Sequence, residues 1–145
     1  MVTLNPVHIF FPIVALVALV VFVVVRLGRS RVRAVRRRDI SVRFFELYQG
    51  SEEPEELRAL SRHFVNLFEL PILFYVACIV AYVSVQVDLW LVLLAWFFVV
   101  SRYVHSYIHL TSNIVIQRFR VYGIGLAALV LMWLTLTIHL VILAL

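Results

Sequence analysis

Four long apolar runs constrain this chain more than any other feature. They cover roughly Val7–Leu27, Phe64–Val87, Leu89–Leu110 and Val121–Leu145, with most charges at their ends. Each is about as long as the ~20 residues a helix needs to cross the hydrocarbon core of a bilayer. A soluble domain could not bury so much apolar side chain: 64% of the 145 residues are hydrophobic and only 14% are charged, far from the usual globular balance. The expected fold is therefore all-α, an integral membrane four-helix bundle formed by residues 1–145 as a single transmembrane domain. No basic stretch precedes the first run and no small-residue cleavage pattern follows it, so it is expected to remain as a helix rather than be removed as a signal peptide.

Charge is concentrated along the chain. All thirteen basic residues are arginine, and eight lie between Arg26 and Arg43. A nucleic-acid partner is not expected, because no soluble basic domain surrounds that cluster. The cluster reads instead as a topology anchor that meets anionic headgroups. It falls in the first connection, residues 28–63, and Arg118 and Arg120 flank the third connection, whereas the short link at Asp88 carries no arginine. The positive-inside rule then puts both arginine-bearing connections in the cytoplasm and both termini outside. Within the first connection, Gly50, Ser51 and Pro54 form a turn signature. Glu55-Glu56-Leu57-Arg58 follows as a helix start with acids at its positive end. That helix is expected to run unbroken into the second span, and the second and third spans to form a tight antiparallel hairpin. Cys78, the single cysteine, has no disulfide partner and reads as a small buried side chain.

Polar residues inside the apolar runs carry the functional signal. Arg62, Asn66 and Glu69 stand at i, i+4 and i+7, within roughly 60° of one helix face. Arg102, His105, His109 and Asn113 form a second stripe at the same end of the third span, followed by Arg118 and Tyr122. Ionisable side chains at membrane depth cost roughly 2.5–3.5 kcal/mol each on insertion scales, so they pair or they function. A Glu69–Arg102 ion pair would explain two of them and leave the rest. A polar pocket explains all: several guanidinium groups, one carboxylate and an amide suit a small zwitterion with more carboxylates than amines, such as glutathione. An arginine beside its thiol would favour the nucleophilic thiolate, so the protein needs no catalytic cysteine of its own.

The stretch Arg62-His63-Phe64-Val65-Asn66-Leu67-Phe68-Glu69-Leu70-Pro71 resembles the R-x-x-x-N-x-x-E signature, closely followed by proline, of the family of membrane-associated proteins in eicosanoid and glutathione metabolism (MAPEG). Ser101-Arg102-Tyr103-Val104-His105, with Arg118 sixteen residues after Arg102, fits the same pattern, and the chain is most similar to an uncharacterised bacterial subgroup. The resemblance implies a homotrimer of four-helix protomers in a bacterial inner membrane, with glutathione as co-substrate bound between protomers near the cytoplasmic face. It further implies that Arg62, Asn66 and Glu69 hold the tripeptide, that Arg102 and His105 support it, and that Arg118 is catalytic, with Tyr122 close by. The activity so implied is a glutathione-dependent transferase or peroxidase acting on small lipophilic electrophiles.

His109 departs from this pattern, since it stands where characterised members carry a tyrosine that contacts glutathione. The first-helix arginine that completes the site in the family cannot be chosen among Arg26, Arg29, Arg33 and Arg36. Two rival readings follow from the same residues. One is a non-catalytic membrane protein that keeps the bundle. The other is a metal-dependent membrane enzyme in which His105 and His109, four apart, ligate an ion with Glu69 opposite. The glutathione reading, which is preferred, assigns no metal ligand. His63 is expected to face solvent or headgroups at the end of its span, and His8 and His139 to lie at the outer interface.

Overall fold

The computed structural model describes residues 5–48 and 53–145. Among them there are helices and no strands, and four helical stretches are long and apolar enough to cross a membrane: Pro6–Arg36, Glu55–Val83, Leu89–Leu110 and Val115–Ala144. Large apolar side chains such as Phe22, Leu73, Phe97 and Leu131 cover the outside, each about half exposed. Such a surface suits a bilayer rather than water. The molecule is an integral membrane protein.

Its first span opens with a 3-10 turn, Pro6–Ile9, in which the Asn5 side chain accepts from Val7 N at 3.0 Å. Helix α1, Phe10–Arg36, continues from it. At 27 residues α1 is about 40 Å long, so its basic end projects beyond a ~30 Å hydrocarbon core. The stretch from Gly28 to Arg36, which the sequence places in a connection, is thus helical. Arginine is a good helix former, and Arg33 and Arg36 lie in the last turn, where the helix dipole favours positive charge.

The connection is held down by a small apolar cluster of Leu27, Ala34, Ile40, Phe44, Leu57 and Leu60, separate from the main core. A single turn, α2 (Phe44–Leu47), sits in it, and Tyr48 ends that turn with a left-handed φ of 53°. Gly50 and Ser51 of the turn signature lie outside the described residues. Helix α3, Glu55–Asn66, starts after Pro54 with Glu55 and Glu56 in its first turn, as the sequence predicts.

The second span is not one unbroken helix. Between α3 and α4 (Leu70–Val83) the chain passes through Leu67–Glu69 in i→i−3 turns, with Phe68 N bonded to Val65 O at 2.9 Å and Glu69 N to Asn66 O at 3.4 Å. Pro71 causes the interruption. It has no N–H for the Leu67 carbonyl four residues earlier, and its ring would collide with that carbonyl in a regular helix.

Asp88 caps α5, Leu89–Leu110, by accepting from Leu91 N at 2.7 Å. The helices on either side of that link meet through large side chains, Phe74 and Phe98 stacking at 4.7 Å between centroids. Closest backbone packing is instead between α5 and α6, Val115–Ala144. Asn113, at φ 51°, turns the chain between them, a conformation that asparagine tolerates well. Because α6 starts at Val115, Arg118 and Arg120 sit in its first turns rather than before it. Cys78 is free and fully buried in the core, as expected.

Candidate functional site

The candidate residues separate into two sets facing different ways. Arg102 on α5 is 1% exposed and points at α6. Its Nη2 donates to the backbone carbonyls of Tyr122 at 3.3 Å and Val121 at 3.5 Å, and its guanidinium carbon lies 5.2 Å from the ring centroids of both Phe98 and Tyr122. Gly125 makes this approach possible. A Cβ there would fall inside contact distance of Arg102 Nη2 and only 2.5 Å from Ser101 Oγ. Small residues on apolar helices commonly mark such close approaches.

One turn along α5, His105 Nδ1 meets the Arg118 carbonyl oxygen at 3.2 Å. A carbonyl can only accept, so Nδ1 carries the proton. Arg118 Nη1 in turn donates to His109 Nε2 at 2.9 Å and to Asn113 Oδ1 at 2.7 Å. A guanidinium cannot accept, so His109 Nε2 presents its lone pair and the ring is neutral. Arg118 is therefore held by two neutral acceptors, and no carboxylate lies within 4 Å of it among the described residues.

His63 completes this inner cluster, contrary to the solvent-facing position expected for it. It is 0% exposed, with its ring centroid 4.7 Å from that of His109 and 6.0 Å from that of His105. The missed signal lay in its register: His63 continues the stripe of Leu57, Leu60 and Leu67, all buried on the same face of α3 and the following turn.

Arg62, Asn66 and Glu69 form the other set. Arg62 and Glu69 are exposed, Asn66 is half-buried, and Asn66 Nδ2 donates to Glu69 Oε2 at 3.1 Å. The Glu69–Arg102 ion pair considered from the sequence does not form. Arg102 turns inward to α6, whereas Glu69 stays on the outer surface beside the break in the second span. The metal reading loses its carboxylate for the same reason. Among the described residues no group of three His, Cys, Asp or Glu is arranged to hold a metal ion, and the Arg118 guanidinium already occupies His109 Nε2.

With this geometry in place, comparison with known proteins adds one finding. The sequence model of the MAPEG family matches residues 9–138, most of the chain. The chain belongs to the MAPEG family. No curated protein and no solved structure matches it. As a MAPEG member it is a membrane protein of the glutathione and eicosanoid metabolism family. The match spans both residue sets, from the arginines of α1 through Arg62, Asn66 and Glu69 to Arg118 and Tyr122.

At the opposite end of the MAPEG bundle, His139 Nε2 lies 3.7 Å from Asp88 Oδ2, and His8 is exposed with its ring 5.8 Å from Phe11. Both are remote in sequence and fold from the polar cluster, at the end where the link between α4 and α5 also lies.

Proposed function

We propose that this protein binds glutathione and uses it to conjugate or reduce small hydrophobic electrophiles that enter from the lipid. One observation carries the reading: Arg118 is fixed in place by His109 and Asn113, yet its charge has no carboxylate partner among the described residues. A positioned, uncompensated guanidinium stabilises an anion, and a glutathione thiolate is one that it would make easier to form.

Arg102 plays a supporting part in this scheme, because its hydrogen bonds and ring contacts are made within the protein. His105 and His109 position Arg118, through its carbonyl and its guanidinium respectively. Tyr122 packs against Arg102 and lies 6.1 Å from His105 between ring centroids. Arg62, Asn66 and Glu69 offer a cation, an amide and a carboxylate on the outer surface, a set suited to the carboxylates and ammonium of the tripeptide. Since none of these three side chains bonds to Arg118 within one protomer, a shared site between protomers of a homotrimer brings a second copy's groups to the ligand. We place that site at the cytoplasmic face of a bacterial inner membrane, with the termini outside, on the arginine distribution.

In conjugation, the thiol gives up its proton, the thiolate sulfur forms a bond to the electrophilic carbon, and the displaced electron pair leaves with the leaving group or is protonated. In peroxide reduction, two glutathione molecules are oxidised to the disulfide while the peroxide becomes an alcohol and water. Arg118 acts on the thiolate in both.

Titrating glutathione into detergent-solubilised protein, with ultraviolet detection of thiolate, tests the reading. Wild type should bind and show the thiolate signal. Arg118→Leu should lose the signal and kcat with KM for glutathione little changed, whereas Arg62→Leu should chiefly raise KM. Absence of both binding and thiolate in wild type leaves the non-catalytic MAPEG reading in its place.

A further inference from the structure

A second polar feature runs along the basic end of α1, meeting the polar cluster only at Arg26 and Glu56, which also line a cavity reaching His109 and Asn113. Arg26, Arg29 and Arg33 repeat at i, i+3 and i+7, so they share one helix face. A groove of about 380 Å³ runs between this face and α3, with Phe22 and Val25 at one end, Arg29, Ser30 and Arg33 along one wall and Glu56 on the other. Arg29 and Arg33 also line a second groove on the other flank of α1, together with Arg36 and Arg37. All of these arginines are exposed, and none has a carboxylate within 4 Å among the described residues.

The geometry points to a binding site for an anionic phospholipid with a polyol headgroup, of the phosphatidylglycerol class. The groove crosses from apolar to basic within two helical turns, as a lipid does from acyl chain to phosphate. Phe22 and Val25, 55% and 45% exposed, provide a surface for the acyl chains. Arg29 and Arg33, one turn further out, are spaced to clamp the phosphodiester between them. Glu56 stands across the groove as an acceptor for a headgroup hydroxyl. With three arginines against one glutamate, the groove itself is positive, so a headgroup of net negative charge is favoured over a zwitterionic one. This goes beyond a topology anchor: an anchor depends on the total basic charge near the membrane surface, whereas this site depends on which arginines are present.

Native mass spectrometry of the full chain released from detergent tests the difference. It compares retention of phosphatidylglycerol, phosphatidylethanolamine and phosphatidylcholine of matched acyl chains. Phosphatidylglycerol should be retained best, and Arg29→Gln/Arg33→Gln should weaken its binding roughly 25-fold, at about fivefold for each arginine near a membrane surface. Glutamine keeps helix propensity close to that of arginine, and both positions are exposed, so the fold is retained. Arg38→Gln/Arg43→Gln removes the same charge from outside both grooves and should change retention by less than about threefold. Equal losses from the two double variants, or equal retention of all three lipids, would overturn the site. Displacement of the lipid by glutathione or by inorganic phosphate would overturn it as well, assigning the groove to a soluble anion. None of these readouts depends on turnover, so the outcome is independent of the proposed chemistry.

Discussion

Gly125→Ala should destabilise this protein even though it replaces glycine by the best helix former in the middle of α6. On propensity alone the change is favourable by about 1 kcal/mol. Opposing it, the new Cβ would meet Arg102 Nη2 inside contact distance, lie 2.5 Å from Ser101 Oγ and 3.0 Å from Arg102 Cζ. Arg102 has no room to yield, being 1% exposed and flanked by Phe98 and Tyr122 at 5.2 Å. Overpacking of this kind costs about 1–3 kcal/mol. Pushing the guanidinium away also weakens its hydrogen bonds to the α6 carbonyls, about 1.5–3 kcal/mol for a charged donor, and its cation–π contacts, up to ~2 kcal/mol when desolvated. Since the hydrogen bonds are long, 3.3 and 3.5 Å, the lower end applies, and the net loss is about 1.5–3.5 kcal/mol before any weakening of the cation–π contacts. Size-exclusion recovery of detergent-solubilised protein after heating measures it, with the same substitution made in an Arg102→Met background. Methionine keeps an apolar stem and removes the obstructing group, so Gly125→Ala should be neutral or favourable there. Equal penalties in both backgrounds, or no penalty in either, would refute the assignment of Gly125 as the seat of Arg102.

The other predictions concern the site and its setting. His109→Phe should lower kcat for glutathione-dependent turnover by about tenfold or more while the protein stays folded, because Arg118 loses one of its two acceptors. His109→Gln, whose amide oxygen can accept, should restore much of it, and failure of that rescue would remove the positioning role. A reporter active only in the cytoplasm, fused at Leu145, should be silent, and activity there would reverse the orientation read from the arginines. Mass measurement in detergent should give a trimer, whereas a monomer that still bound glutathione would exclude a site shared between protomers.

Much of the architecture is readable in the sequence because hydrophobic length is a local signal. The third span, Leu89–Leu110, follows directly from the run of apolar residues, and the structure adds that Asp88 before it serves as its cap. The features that escape depend on geometry that spacing alone does not carry. The break at Leu67–Glu69 comes from Pro71, yet proline is tolerated within membrane helices when neighbours satisfy the freed groups, so its presence does not by itself require an interruption. The spacing of Arg62, Asn66 and Glu69 groups them on one side of the second span, and Asn66 does bond Glu69. Their orientation away from Arg102 is not in the spacing, because a polar stripe says which residues are together and not which neighbour they face. His63 misleads for the opposite reason: as a histidine near a span end it suits headgroups, and only its register with Leu60 and Leu67 reveals burial. Gly125 carries no distinct sequence signal, since glycine is common in membrane helices.

The inner network has a charge balance that a merely structural one would not need. Arg102 and Arg118 are both drawn toward the interior of the bundle, and every partner they have among the described residues is neutral: carbonyls, an amide, a hydroxyl, imidazoles and aromatic rings. If the purpose were to fasten α5 to α6, a carboxylate opposite either arginine would do so with less electrostatic penalty, or an apolar pair of similar volume with none. Arg102 illustrates the limit of the neutral solution, since it needs two carbonyls, two rings and a glycine-sized gap to be accommodated. Arg118 is held by shorter bonds, its Nη1 meeting His109 and Asn113, and each arginine keeps one buried nitrogen without a protein partner, Nε in Arg118 and Nη1 in Arg102. An arginine held in place but incompletely satisfied is more favourable once an anion is bound than before. That difference is what a site for a developing thiolate requires, and burial decides between the two: Arg102 is 1% exposed, whereas Arg118 is half-buried and open to a ligand, so catalysis would depend on Arg118.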